Sequence, residues 1–123
     1  MITTMKDQIK QLINKIQPFD SIESDQKQDV LDWLESTDDI YRREKPKTPA
    51  KHLVSYCLLL DQSEGKLLLT VHKKSGLLLP TGGHVDPDEH PTATAKREIE
   101  EELFITPELV FEDPIFITVA ETV

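Results

Sequence analysis

Residues 82–105 read GGHVDPDEHPTATAKREIEEELFI and constrain the fold more than any other part of the chain. A glycine pair and a turn-rich stretch come first, and Pro91 then stands where a first helical turn would begin. Proline suits that position because the N–H that it lacks would have no helical partner there. The pattern therefore predicts a loop over Gly82–Asp88 and a helix over Pro91–Leu103.

The predicted helix carries an acidic face beside an apolar stripe. Glu98, Glu101 and Glu102 fall within an arc of about 100° because positions i, i+3 and i+4 share a face. The stripe that would dock the helix on a sheet is formed by Ala95, Ile99 and Leu103. Carboxylates this close repel one another, and a bound Mg²⁺, which prefers oxygen ligands and bridges them to phosphates, offsets that repulsion. A solvated acidic face is the alternative explanation.

The charge balance and the apolar runs exclude several classes of partner. The chain has 123 residues, with 23 acidic and 14 basic side chains and a net charge of −9. This field repels nucleic acid, so we expect no nucleic-acid partner, although cations could bridge an anionic substrate to the protein. No apolar run approaches the roughly 18–20 residues that span a bilayer, so we expect no membrane contact. With Cys57 as the only cysteine and no secretion signal, we expect a cytoplasmic protein.

Residues 1–45 read as an N-terminal helical segment. Its first helix has apolar residues at helical spacing, namely Ile9, Leu12, Ile13 and Ile16. A second helix is expected to begin with Ser21 or Ser24 as its N-cap. Residues 46–51 read as a linker. We expect the helical segment to serve packing or dimerisation, which makes a homodimer one of the expected assemblies.

The remaining segment, 52–123, begins with apolar runs of strand length. The first two runs, 52–61 and 66–72, are joined by Gln62–Gly65, which predicts a hairpin. Two further strands are predicted over Leu77–Pro80 and Ile115–Ala120. The helix over Pro91–Leu103 would lie between these two strands.

Six residues stand at the fixed positions of one motif, G-x5-E-x7-R-E-U-x-E-E-x-G-U, in which U is aliphatic. They are Gly83, Glu89, Arg97, Glu98, Glu101 and Glu102. Chance matches of this kind are rarer than about one in a million per start site at average composition. Residues 83–105 thus resemble the box of the Nudix hydrolases, the MutT-like pyrophosphohydrolases. The resemblance implies an α/β fold, an α/β/α sandwich around a mixed sheet, preceded here by the helical segment.

The resemblance also implies roles for single residues. It assigns Glu98, Glu101 and Glu102 to Mg²⁺ (or Mn²⁺), with the Gly82 carbonyl as a further oxygen ligand. Arg97 would orient the acids of the box, with Glu89 as a structural support. Glu98 is also a candidate general base, although in many members of the family the base lies outside the box. Substrate-binding positions are assigned to Gly83 and His84, whereas Lys73 and Lys74 are more easily explained as exposed turn residues.

The function that the resemblance implies is Mg²⁺-dependent hydrolysis of a nucleoside diphosphate linked to another moiety, including MutT-like hydrolysis of nucleoside triphosphates. Two alternatives remain open. One is a non-catalytic module of the same fold that binds a nucleotide to regulate a partner. The other is an interaction protein in which residues 1–45 carry the function and the box is vestigial.

Two departures from the family pattern lead to expectations of their own. The glycine near the end of the box helix is replaced by Phe104, so we expect the helix to end differently, with Pro107 stopping it. The chain also stops soon after the box, whereas Nudix domains continue with further strands and a closing helix. We therefore expect a truncated domain, incomplete at its C-terminus, that without the missing part is inactive, domain-swapped or dependent on a partner chain.

Overall fold

A computed structural model describes residues 3–71 and 76–121. The chain forms two compact units, Met1–His52 with Leu109–Val123, and Leu53–Glu108. Across the two described ranges, no helix combines the length and the apolar character that crossing a membrane requires. The domain boundaries expected from the sequence, 1–45, 46–51 and 52–123, stay a prediction.

The first unit contains the helices α1 (Met5–Lys15) and α2 (Ser21–Ser36). Its core is formed by apolar residues of the two helices and of the segments that follow them, namely Ile9, Leu12, Ile13, Ile16, Val30, Leu34 and Ile40. The expected N-cap of α2 was wrong, because Asp20 takes that position and its Oδ1 accepts from Glu23 N at 2.8 Å. A carboxylate one residue earlier satisfies the exposed N–H group at the helix start and favours its dipole.

The strand predicted over Ile115–Ala120 is not formed, which is a second correction. In the first unit, Ile117 N donates to Glu23 Oε2 at 3.0 Å and Val119 N donates to Gln26 Oε1 at 3.1 Å. Side chains of α2 thus bind N–H groups that a strand would donate to a neighbouring backbone. A strand depends on such a partner, which an apolar sequence run does not reveal.

The second unit contains one helix and small antiparallel strand pairs. Its elements are β1 (Val54–Cys57), β2 (Leu59–Asp61), β3 (Lys66–Leu68), β4 (Thr70–Val71), β5 (Leu78–Leu79), β6 (Thr81–His84) and α3 (Pro91–Leu103). The pairs are β1–β6, β2–β3 and β4–β5. Every pair in the described part of the chain is antiparallel, so the parallel pairing of a mixed sheet is not among them. This mixture of a helix and strands agrees with the α/β class.

Of two turns predicted from the sequence, one is confirmed and the other begins later than expected. The hairpin at Gln62–Gly65 is confirmed, with β2 and β3 on either side and Gly65 in the left-handed region at φ 66°. The loop predicted over Gly82–Asp88 begins later, because Gly82 and Gly83 belong to β6 and pair with Tyr56 and Ser55 of β1. A Cβ atom at Gly82 would collide with Tyr56, so glycine serves here to let two strands approach closely.

The helix α3 docks on β1 and β6 through the predicted stripe. Ala95 and Ile99 are buried, and Val85 at the end of β6 is buried with them. Leu103 is half-buried. The start of the helix is tied to β1 because Ser55 Oγ donates to the carbonyl of Pro91 at 2.8 Å. This docking holds the acidic face of α3 beside the glycines of β6.

Phe104 ends α3 in the left-handed conformation, contrary to the expectation of a different ending. Its φ and ψ are 58° and 31°, and its N–H donates to the carbonyl of Glu100. Its ring is 89% exposed and thus gains little from packing. The helix therefore ends in the way a glycine would end it, at the steric cost that a Cβ atom brings to this region.

Replacing Phe104 by glycine is expected to raise the free energy of unfolding of the second unit by about 1 kcal/mol, because glycine adopts this conformation without strain. Urea unfolding followed by amide hydrogen exchange in α3 measures the change. Phe104→Ala is the matched control, since it removes the exposed ring but keeps the Cβ atom. An equal gain in both variants would contradict the explanation by strain.

Candidate functional site

Arg97 is the centre of the polar network on α3. Its Nε and Nη2 donate to the two carboxylate oxygens of Glu89, each at 3.0 Å. Its Nη1 donates to Glu98 Oε1 at 3.1 Å, and Nη2 also donates to the carbonyl of His84 at 3.3 Å. The two-pronged contact with Glu89 fixes the plane of the guanidinium, which then presents its remaining donor to Glu98.

Glu89 lies in the turn before α3 and is held by more than one donor. Besides Arg97, Thr94 Oγ1 donates to Oε1 at 2.6 Å and Asp86 N donates to Oε1 at 3.2 Å. The hydrogen bonds from Arg97 outweigh the opposing effect of burial and lower the pKa of Glu89 to about 2. The same pair raises the pKa of Arg97 above its usual range. The Glu89 carboxylate is therefore ionised in the folded chain near neutral pH.

Glu98 lies against the backbone of β6. A Cβ atom at Gly83 would collide with the Glu98 carboxylate, so this side chain lies in the space that glycine leaves open and a larger residue would displace it. The Glu98 side chain is 17% exposed. Burial raises the pKa of Glu98, ahead of the lowering influence of Arg97. The arrangement holds a partly desolvated carboxylate beside a strand that has no side chain at the contact.

Glu101 and Glu102 lie on the exposed part of α3. Glu101 Oε2 is 3.7 Å from Arg97 Nη1, and its side chain is 59% exposed. Glu102 is exposed as well. Among residues 3–71 and 76–121, no three acidic, histidine or cysteine side chains are gathered closely enough to hold a metal ion. The structure brings Gly83, Glu89, Arg97 and Glu98 together, with Glu101 at the edge of this network and Glu102 exposed.

The donor set nevertheless fits a magnesium ion in its chemistry. Carboxylates of Glu98, Glu101 and Glu102, together with the Gly82 carbonyl, are oxygen donors of the kind that Mg²⁺ selects. The absent side chain at Gly83 leaves a cradle in which the Glu98 carboxylate already sits. Gathering the donors around one ion requires rotation of the Glu101 and Glu102 side chains, and their exposure permits it.

The histidines beside the box have different positions. His84 is half-buried at the end of β6, where its carbonyl accepts from Arg97. His90 is the N-cap of α3, and its Nδ1 accepts from Thr92 N at 3.1 Å. His90 is thus a helix-start residue. Lys73 and Lys74 lie outside the described residues.

Sequence reasoning missed the part that Thr94 plays in this network. Thr94 is fully buried and donates its shortest hydrogen bond to Glu89. A signal was present, because Thr94 adjoins Ala95 of the apolar stripe and lies one helical turn before Arg97. A hydroxyl at a position that faces the core needs a partner, and the nearest acid of the motif supplies it.

Comparison with known proteins agrees with the motif. A search of curated proteins returned no match to this chain. The family model described as the NUDIX domain matches residues 50–116, which is more than half of the chain and includes β1 to β6 and the whole of the box. The glycines of β6, the acidic face of α3 and the Arg97 network all lie within that match. This chain belongs to the Nudix family.

Proposed function

We propose that this chain is a Mg²⁺-dependent Nudix pyrophosphohydrolase that cleaves a nucleoside diphosphate linked to another moiety, with MutT-like hydrolysis of nucleoside triphosphates as one form of that reaction. The observation that carries the proposal is the Glu98 carboxylate, which is wedged against Gly83 and bonded to Arg97. A solvated acidic face would not need a glycine cradle or an internal guanidinium.

The proposed metal ligands are Glu98, Glu101, Glu102 and the Gly82 carbonyl, with Mn²⁺ as an alternative ion. When bound, the ion supplies neutralisation of phosphate oxygens and a lower pKa for a coordinated water. The finer architecture, an α/β/α sandwich around a mixed sheet, is part of the same proposal.

The other roles in the proposed reaction are assigned to residues in and beside the box. Arg97 holds the Glu98 carboxylate in one orientation, and Glu89 holds Arg97. Glu98 is the proposed base that accepts a proton from water as the water oxygen attacks phosphorus. The bond between that phosphorus and the bridging oxygen breaks, and the bridging oxygen leaves with the second phosphate. Gly83 and His84, at the end of β6, are the proposed contacts with the substrate phosphates.

The test is a screen for cleavage of nucleoside diphosphate derivatives with Mg²⁺ present, in which chromatography separates the two phosphorylated products from the substrate. We expect Mg²⁺-dependent turnover of at least one derivative, its loss with EDTA, and a fall of about 10- to 100-fold in Glu101→Gln and Glu102→Gln. Turnover that is unchanged by EDTA and by both substitutions would exclude the proposed function. Nucleotide binding without any turnover would instead support the regulatory module.

A further inference from the structure

Thr94 is a polar side chain on the face of α3 that packs against the strands. It is completely buried, whereas its neighbour Ala93 is exposed. Burying a hydroxyl is unfavourable unless the hydroxyl finds a hydrogen-bond partner. The next residue, Ala95, is also buried and carries no polar group in its side chain. Packing alone therefore does not explain why residue 94 carries a hydroxyl group.

That hydroxyl is directed at Glu89. Thr94 Oγ1 lies 2.6 Å from Glu89 Oε1 and 3.4 Å from the carbonyl oxygen of His90. A threonine hydroxyl has a single proton to donate. The shorter contact, to an ionised acceptor, is the stronger one. The proton is therefore donated to the Glu89 carboxylate.

From Glu89 the contacts continue to the proposed metal face. Oε1, which accepts from Thr94, also accepts from Arg97 Nη2, and Oε2 accepts from Arg97 Nε. Arg97 then uses Nη1 to hold Glu98 Oε1. Three consecutive hydrogen-bonded contacts thus join a buried hydroxyl to the carboxylate beside Gly83. Since the hydroxyl is buried, water does not compete with Glu89 for its proton.

We propose that Thr94 is a positioning residue, which acts through Glu89 and Arg97 to orient Glu98 and thereby sets the affinity of the site for its divalent cation. This inference rests on the proposed function, in which Glu98 is a metal ligand. Without the hydroxyl, Glu89 is less firmly held, the guanidinium loses a fixed partner, and the Glu98 carboxylate samples more orientations. Loss of an outer partner of this kind typically weakens metal binding about 10- to 100-fold.

The test compares Thr94→Val with Thr94→Ser in the full chain. Valine has nearly the shape of threonine but no hydroxyl, whereas serine keeps the hydroxyl and loses a methyl group. Mn²⁺ binding without substrate is measured by electron paramagnetic resonance. We expect about tenfold weaker binding in Thr94→Val and a change within about twofold in Thr94→Ser. In a Glu89→Ala background, adding Thr94→Val should weaken binding no further, because the acceptor of the hydroxyl is already absent.

Circular dichroism checks that each variant folds, and Thr94→Ala replaces Thr94→Val if the latter does not. Native Mn²⁺ affinity in the variant without a hydroxyl would overturn the inference. An equal loss of Mn²⁺ affinity in Thr94→Val and Thr94→Ser would also overturn the inference, because it would assign the effect to packing. Failure of the native chain to bind Mn²⁺ would overturn it as well. The two failures can be told apart. Hydroxyl-dependent Mn²⁺ binding without hydrolysis removes the proposed function alone, whereas Mg²⁺-dependent hydrolysis with hydroxyl-independent binding removes only the role of Thr94.

Discussion

Replacing Glu98 by glutamine is expected to lower kcat for Mg²⁺-dependent hydrolysis by about 100- to 1000-fold. Glutamine keeps the shape of the side chain and removes its charge and its basic oxygen. Both are assigned to the reaction, and the loss of a positioned charge or base commonly costs this much. The effect should exceed that of Glu101→Gln, because Glu98 is held between Gly83 and Arg97 whereas Glu101 is 59% exposed.

The matched control for this prediction is Glu100→Gln. Glu100 is on the same helix and is exposed, so the substitution removes the same charge from the same element without touching the proposed site. Its kcat should stay within about twofold of the native value. The measurement is the steady-state rate of product formation, followed by chromatography at saturating Mg²⁺, for the substrate found in the screen. Half or more of the native kcat in Glu98→Gln would remove Glu98 from the reaction.

Replacing Glu89 by glutamine is expected to lower the free energy of unfolding of the second unit by about 2–3 kcal/mol. Glu89 is 18% exposed and Arg97 31%, so the pair is largely shielded, and the neutral variant removes the two-pronged counter-charge of the guanidinium and leaves it the single contact with Glu98 and more distant acids. The pKa of Glu89, lowered from 4.5 to about 2, corresponds to a contribution of about 3 kcal/mol. This value is an upper bound because solvent reaches Arg97.

Amide hydrogen exchange in α3 measures the effect, and the most protected amides should exchange about 30- to 150-fold faster in Glu89→Gln. The control is Asp39→Asn, which removes a carboxylate from the exposed two-pronged pair with Arg43 in the first unit. Because solvent screens that pair, its loss should have no measurable effect on urea unfolding. Trp33, the only tryptophan, lies in α2, so its fluorescence reports the control.

The stabilisation by Glu89 should also depend on pH in a defined window. The folded-state pKa is lowered to about 2, so the contribution is fully present above the unfolded value near 4.5 and is lost as the pH falls through about 2. The urea midpoint of the native chain should therefore approach that of Glu89→Gln between these two pH values. Midpoints that stay parallel over the whole window would show that the pair does not stabilise the folded state.

The helix α3 illustrates how far local sequence reasoning reaches. Its bounds, Pro91–Leu103, agree with the prediction, because a helix is defined by hydrogen bonds between near neighbours and by residues that start it. The buried stripe through Ala95 and Ile99 follows from the same periodicity. The left-handed conformation of Phe104 was not predicted, since a bulky residue is disfavoured in that conformation. The neighbouring sequence gives no sign that Phe104 adopts it.

The strands and the side-chain hydrogen bonds could be assigned only from the folded structure. The apolar run at Ile115–Ala120 is no strand, because its N–H groups bond to Glu23 and Gln26 rather than to a neighbouring backbone. Gly82 and Gly83 become part of β6 only because β1 lies beside them. Both outcomes depend on partners far away in the sequence, whose pairing a local pattern does not encode.

The sequence by itself determined the family motif, the acidic and apolar faces of α3 and the residue types available to a divalent cation. These follow from spacing along one helix and from matches at fixed positions. Only the tertiary structure decided which acids are held and which are exposed. Docking of α3 on β1 and β6 puts Glu98 against Gly83 and encloses the contact of Thr94 with Glu89, whereas Glu101 and Glu102 remain in solvent. Burial and hydrogen bonding at these positions arise from packing between elements, which the order of residues in one element does not specify.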